Sequence, residues 1–500
     1  MRRAGFILLT SAIVSGCAVG PDYRPRDAAD LGVPGAWSVT TAPAPEDLTK
    51  WWNKFDDPVL GQLVEQAQAA NLDVAQAVAR LRQAREALVV SRASLFPGLT
   101  GSAGYSRSEP LRGGGTTITQ SDGTVVTTNA SGASNFSLGL DASYQLDLFG
   151  GVRRSVEASR ADYASAGFDY ATTLLSVESE VARNYVLVRA YQAQLKNARA
   201  SLAIQDDNLE IAGFRVQAGL ASSVDEEQAR ASRAQTAATI PQLDQQYNAA
   251  VSRIGVLTGQ APGALKPMLE APKPIPAAPE AVGAGIPADV LRQRPDVRSA
   301  ERSLAAATAR IGVAKAKLYP SLNITGSIDT NAGSLTHVLD TITGGLFAGI
   351  SQTIFDGGTL SAQVRSSRAV ADGAFAAYKS SVLTAMEDIE NAIVALRSAQ
   401  ERERQFAIAL DAANNSAILA RSQYRTGLTD FTTLNTQESA LISAQNGLVQ
   451  AQSDKATALV ALYVALGGGW NSSTVPVAPA MTIPAATTAP ANGQNRADNG

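Results

Sequence analysis

The chain of 500 residues carries 42 basic and 45 acidic side chains, a net charge of −3, with 6% aromatic residues, one cysteine and one histidine. So even a balance leaves no basic patch for nucleic acid or for an anionic membrane surface, and one cysteine excludes an internal disulfide, a thiol pair and a metal cluster. Few aromatics and many Ala, Gln and Ser suit rods packed side by side better than a thick globular core.

At the N-terminus Arg2 and Arg3 precede an apolar run from Ala4 to Val14. About 11 residues are too few to span a bilayer and fit the apolar region of a signal peptide. The run leads into Val14-Ser15-Gly16-Cys17, which resembles a bacterial lipobox; an ordinary leader with an incidental cysteine is the alternative. The resemblance implies that residues 1–16 are removed as a lipoprotein signal peptide and that Cys17 is diacylated and its new amino group acylated. That covalent lipid is the only non-protein group implied; no metal or other cofactor is expected. Ala18 stands where Asp would favour retention in the inner membrane, so the outer membrane is the implied address. Acyl chains at about 0.8 kcal/mol per buried CH₂ make a stable anchor. Beyond residue 17 no run of 18 apolar residues offers a transmembrane helix.

Residues 17–57, rich in Pro, Ala and Asp with Trp37, Trp51 and Trp52 as bulky anchors, read as a lipid-anchored extended arm laid on the body. A first unit spans 58–260. It opens with a short helix from Pro58 to Ala70 and a second that Asn71 or Asp73 caps and Pro97 stops after Phe96. A β-hairpin, 98–148, follows: Leu99, Gly101, Ala103 and Tyr105 alternate with small polar residues, a loop of Gly, Thr and Ser runs from Ser108 to Asn135, and Phe136 to Leu148 alternates again. The stretch 152–217 has no proline and only Gly167 and Gly213, and reads as one helix about 100 Å long. A glycine turn at Gly219 leads to a return helix, 221–259, in which Pro241 is expected to cause a bend. Residues 261–287, with seven prolines, form a linker expected to wrap the middle of the body.

The second unit, 288–470, repeats these parts: a helix from Asp296 to Tyr319, a hairpin 321–356 whose apolar face Gln352 interrupts, a long helix 359–425, a turn at Gly427 and a return helix 429–466. The period is about 206 residues from Phe149 to Phe355 and about 208 from Gly219 to Gly427, pointing to one duplicated unit. Residues 471–500 read as a disordered tail.

Alternation of this kind fits a soluble hairpin on a sandwich face as well as a strand of a water-filled transmembrane barrel. The lipid anchor and the rods favour the barrel. One chain supplies four strands, which cannot close around a lumen, and an open edge cannot sit in lipid, so several chains share one barrel and three give twelve strands. Each return helix falls about 40 Å short of its rod, and the helix of about 24 residues before each hairpin fills that gap. Four rod-length legs per chain, twelve in three, match the strands and let the barrel continue into a helical tube. The fold class is therefore mixed α and β, with two internal repeats.

The stretch from Ile286 to Gly326, IPADVLRQRPDVRSAERSLAAATARIGVAKAKLYPSLNITG, strongly resembles the signature region of TolC/OprM-like outer-membrane factors of tripartite efflux pumps, and within these the lipoprotein branch serving resistance-nodulation-division transporters. QLDLFGGVRRSVEASRADY, GGLFAGISQTIFDGG and QYRTGLTDF look like further parts of that pattern, and with the lipobox the resemblance covers nearly the whole mature chain. It implies a homotrimer with a twelve-strand barrel in outer-membrane lipid and a periplasmic helical tunnel. The partners implied are a periplasmic adaptor (membrane fusion protein) and an inner-membrane transporter that supplies the energy. By the same resemblance the turns at Gly219-Leu220 and Gly427-Leu428 are periplasmic tips where the adaptor docks; rod geometry independently puts them far from the membrane, and glycines that merely end helices would look alike. Family members carry an acidic ring just past the second tip. Here the run Gly427 to Ala440 is one residue shorter and Asn435 stands where Asp is expected, leaving Asp430 as a substitute or simply an acid at a helix start.

An enzyme is not expected. The only histidine, His337, falls in a polar inter-strand loop, so neither a Ser-His-Asp arrangement nor a multi-histidine metal site can be assembled, and neither GGG run opens onto GK[ST]. The exit duct of a type I protein secretion system, or a non-porous lipoprotein coiled-coil scaffold, are the alternative functions.

Overall fold

A computed structural model describes residues 18–38, 47–111 and 115–477, apart from 120, 122, 130–131, 278, 280–282, 284–286, 472 and 474–475. The signal peptide, Cys17 and nearly all of the expected tail lie outside the described residues.

Two helices of rod length dominate: α3, Gly151–Gln217, of 67 residues and α8, Thr359–Thr426, of 68. Each starts directly below a strand, and the turn is built the same way twice. Gly150 and Gly358 take left-handed φ values of 78° and 89°, and an aspartate just upstream satisfies the first free amides of the helix. Asp147 accepts from Val152 N at 3.1 Å and Arg153 N at 2.9 Å; Asp356 accepts from Gly358 N at 2.8 Å and Leu360 N at 2.7 Å.

Beside the rods stand two tiers of shorter helices. The tier nearer the sheet holds α2, Leu72–Ala93, and α7, Pro295–Ala316, each of 22 residues. Below it stand α4, Ser223–Leu257, and α9, Phe431–Ala465, each of 35 residues. One helix from each tier makes a leg of about 86 Å, comparable with a rod. The joints are made by single side chains. Asn71 donates its Nδ2 to Leu257 O at 2.8 Å while its Oδ1 accepts from Asp73 N and Val74 N at 2.8 and 3.1 Å, so one amide ends α4 and starts α2. Arg294, just before α7, donates to Ala465 O at 3.2 Å and to Asp296 and Asp388 at 2.7 and 3.0 Å, placing a cation on the carbonyl end of α9. Gly259 and Gly467, which end the return helices at φ 69° and 79°, come so close to Ala70 and Gln293 that a Cβ would stand 2.5 and 3.0 Å from their backbones.

Among the described residues there are six strands. β1 (Gly98–Ser108), β4 (Ala133–Leu146), β5 (Ser321–Ala332) and β6 (Ile342–Ser351) form one antiparallel sheet in the order β1-β4-β5-β6, and β2 (Gly115–Thr119) pairs with β3 (Val125–Asn129) in the β1–β4 connection. The helices beneath pack in the matching order α2-α3-α7-α8. Each strand therefore stands on its own helix.

The arm ties the two halves together. Val19 N donates to Phe149 O at 3.0 Å, Gly20 lies against Gly312, Arg154 pairs with Asp22 at 2.5 Å, Tyr23 donates to Glu301 at 2.9 Å, and Leu31 is buried with Leu291, Val297, Tyr378 and Val382. The main core lies lower, where Trp51, Trp52 and Phe55 pack with α1 (Pro58–Ala70) against Tyr185 and Tyr463. The buried Arg189 holds the linker on α3 by donating to Leu269 O at 3.4 Å and Ala271 O at 3.0 Å.

Several boundaries differ from expectation. The Ser108–Asn135 loop contains β2 and β3. α2 ends at Ala93 because Pro97 forces the chain out of helix, and Leu95 and Phe96 close a tight turn onto Arg92 and Ala93 instead; α7 ends at Ala316 before Pro320 in the same way. β6 stops at Ser351, so residues 352–356 are not strand. The linker folds locally into α5 (Lys266–Leu269) and leads to α6 (Pro287–Gln293). The first return helix, by contrast, is a single helix with Pro241 inside it, as read.

Glu178 is wholly buried on α3, with Oε1 accepting from Gln68 Nε2 at 2.7 Å. Burial pushes its carboxyl pKa up to about 8, the Gln68 bond opposing. The folded state thus holds the proton more tightly than the unfolded chain, so the cost of this acid is absent below the ordinary value of 4.5, grows as pH rises and is complete above about 8. Glu178→Gln should leave the melting temperature near parental at pH 4 and raise it progressively toward pH 9; an equal difference at every pH would contradict the assignment.

Candidate functional site

The register sorts the main sheet into two faces. Leu99 faces Ala142, Tyr105 faces Phe136, Leu140 faces Ile328, and Leu322 faces Ile350, all on one side. The other side carries Thr100 against Asp141, Ser143 against Thr325 and Asp329 against Thr343. The apolar side is bare: Leu99, Leu346 and Ile350 are 73%, 83% and 73% exposed, the opposite of what a water-facing sheet does with its large aliphatics. From Phe136 to Leu146 this band runs about 34 Å along the strand, or roughly 25 Å for a strand tilted by about 40°, the apolar height of a membrane barrel.

Aromatic residues mark both borders of the band. Tyr105 and Phe136 contact at 4.7 Å at the outer end. At the helical end every strand–helix junction has one: Phe96, Phe149, Tyr319 and Phe355, with Phe149 and Tyr319 stacked at 4.7 Å. Rings at two levels are the girdle pattern of membrane barrels. Because Val19 is hydrogen-bonded to Phe149, the described chain starts at this border. Among the described residues β1 and β6 each pair on one side only, leaving two rows of backbone donors and acceptors open.

At the far ends of the rods both turns close identically. Leu220 N donates to Arg215 O at 2.8 Å and Gly219 N to Val216 O at 3.0 Å; Leu428 N donates to Gln423 O at 2.8 Å and Gly427 N to Tyr424 O at 3.1 Å. Gly219 and Gly427 sit at φ 69° and 78°, the left-handed residue such a turn needs. Leu220 and Leu428 project into solvent, 71% and 79% exposed.

The expected aperture residues have local partners. Asp430 starts α9, accepting from Thr433 N at 2.7 Å, and that bond holds its carboxyl below the usual range. Asn435 accepts from Ser232 Oγ at 2.9 Å and so links α9 to α4. Sequence reasoning missed the links at the tips. Arg215 donates to Tyr424 O at 2.8 Å with its guanidinium 4.6 Å from the ring centre and so joins the two hairpins, and within the second hairpin Arg421 pairs with the buried Glu438, Nη2 to Oε2 at 3.0 Å. Arginines and a tyrosine on long helices gave no signal, since their partners lie on other helices.

Among the described residues no helix is long and apolar enough to cross a membrane. Comparison with known proteins agrees in architecture. The model of the outer membrane efflux protein family matches residues 63–260 and 286–468. The chain is 33% identical over 467 residues to nodulation protein T of Rhizobium leguminosarum bv. trifolii, covering 92% of this chain and 96% of that one. It is 31% identical over 474 residues to the pyoverdine export outer membrane protein OpmQ of Pseudomonas aeruginosa, covering 94% and 98%. Among solved structures the outer-membrane channel OprN superposes with a TM-score of 0.80 at 34% identity, over 91% of this chain and all of that one.

The tip glycines are there for their backbone angle, since a Cβ at Gly219 would meet nothing within 4 Å. Gly219→Ala and Gly427→Ala should each cost about 1 kcal/mol, and Asn, which tolerates the left-handed region, less. Thermal melts followed by helical circular dichroism read this ranking; Ala and Asn variants that melt alike would show that the angle is not what selects glycine.

Proposed function

Because the chain belongs to the outer membrane efflux protein family, we propose that it is the outer-membrane exit duct of a tripartite efflux pump, a passive conduit for xenobiotics driven by an inner-membrane resistance-nodulation-division transporter through a periplasmic adaptor. Three copies pair β6 of one with β1 of the next, closing a twelve-strand barrel, and the helices continue the wall into the periplasm. The observation that carries this reading is the match between strand order β1-β4-β5-β6 and helix order α2-α3-α7-α8. A sheet closed into a ring imposes the same ring on the helices below it. Export by the relative OpmQ supports the direction of transport.

The two units, with their matching caps, joints and tips, are read as copies of one duplicated ancestor. Acylation of Cys17 fits the start of the described chain at the aromatic border, where acyl chains enter the inner leaflet. Gly219, Leu220, Gly427 and Leu428 form the adaptor-docking tips, the exposed leucines supplying apolar contact and the glycines the turn. Asp430 and Asn435 border the aperture, where Asp430 supplies exposed negative charge and Asn435 stiffens the contact between hairpins. The scaffold alternative leaves a bare apolar face and two open strand edges without an environment.

Detergent-extracted protein should have the mass of a trimer and give discrete conductance steps in planar bilayers; a monomer without conductance would refute the conduit. Leu220→Asp with Leu428→Asp should reduce cross-linking to the adaptor at least tenfold, an effect of desolvating a charge in an apolar contact, with conductance in the same preparation reporting that the duct is assembled. Undiminished cross-linking would remove the leucines from the docking surface.

A further inference from the structure

The polar face of the sheet has one exception. Along β6 it reads Thr343, Gly345, Phe347, Gly349 and Ser351, so Phe347 stands alone on the side opposite Leu346 and Ile350. Among the described strands it is the only aromatic residue on that face. Its ring lies over Gly349, where a Cβ would come within 2.7 Å of it, and it is 66% exposed. Thr325 opposite and the two flanking glycines leave the ring open.

A neighbouring copy does not cover it. Whatever register β6 adopts with the next chain's β1, the polar face of β1 presents only Gly98, Thr100, Ser102, Gly104, Ser106 and Ser108, none long enough to lie across a phenyl ring. An apolar ring kept in water forgoes its burial energy. The charge on this face has one sign: among the described strand residues it carries Asp141 and Asp329 and no lysine or arginine. Both carboxylates lean over Gly139, about 13 Å further along the wall than Phe347. A negative stretch of wall beside an open ring suits a planar aromatic cation, which the field concentrates and the ring face holds.

We propose that Phe347 is a transit contact for planar aromatic cations inside the barrel, one ring from each of three copies. The proposal rests on the conduit reading above, and conductance itself tests that reading separately. The experiment uses full-length trimer in planar bilayers with ethidium added on the barrel side. Parent channels should show discrete current blocks whose dwell time falls about tenfold in Phe347→Ser and Phe347→Leu, the size of one cation–ring contact, and is kept in Phe347→Tyr. Conducting Phe347→Ser or Phe347→Leu channels with parental dwell times would overturn the proposal, as would equal blocking by the anionic dye 8-anilinonaphthalene sulfonate. Parent protein without conductance would instead overturn the conduit reading.

Discussion

The constraint on which the structure turns is the open edge of a four-stranded sheet. Among the described residues β1 and β6 each carry a row of unpaired amides and carbonyls, and the sheet bares an apolar band of membrane height. In hydrocarbon an unpaired backbone group costs several kcal/mol, so the band and the edges make opposite demands on a single chain. Lipid suits the face, and only another strand suits the edge. The proposed closure by further copies meets both demands at once.

The proposed closure also accounts for the helical half. Rods of 67 and 68 residues would be unstable alone, because helices in water draw most of their stability from packing. Here α3 is flanked by α2, α4, α7 and α9, and α8 by α7 and α9. Asn71 and Arg294 let two shorter helices behave as one leg, passing the carbonyl end of one to the amide end of the next without a gap. The arm crosses from α3 to α8, and with Arg189 and the buried aromatics it locks the upper half. At the tips, by contrast, the hairpins meet through a small cluster around Tyr424 and Phe431 and a few polar links.

Much of this was legible in the residues. Long proline-free runs, strict alternation and paired glycine turns are local signals, and the rods, four strands and both tips fell within a few residues of their expected places. The hairpin of β2 and β3 was missed because a Gly- and Thr-rich stretch reads as loop when its pairing partner is equally polar. Phe347 was missed because period-2 reading follows the apolar set Leu346, Ala348 and Ile350 and assumes the other face is polar. Arg294 contacts a carbonyl 171 residues away, and nothing local announces such a joint. The same holds for Asn435, read as a lost acid but serving as a link to Ser232.

The most direct measurement asks which strand β1 meets. Cysteine pairs scanned across the edges, one at Thr100 or Ser102 and one at Thr343 or Gly345, can be oxidised in isolated outer membranes. The account predicts covalent dimers and trimers with the ladder ending at three. Cross-links confined within single chains, or a ladder running past three, would contradict it.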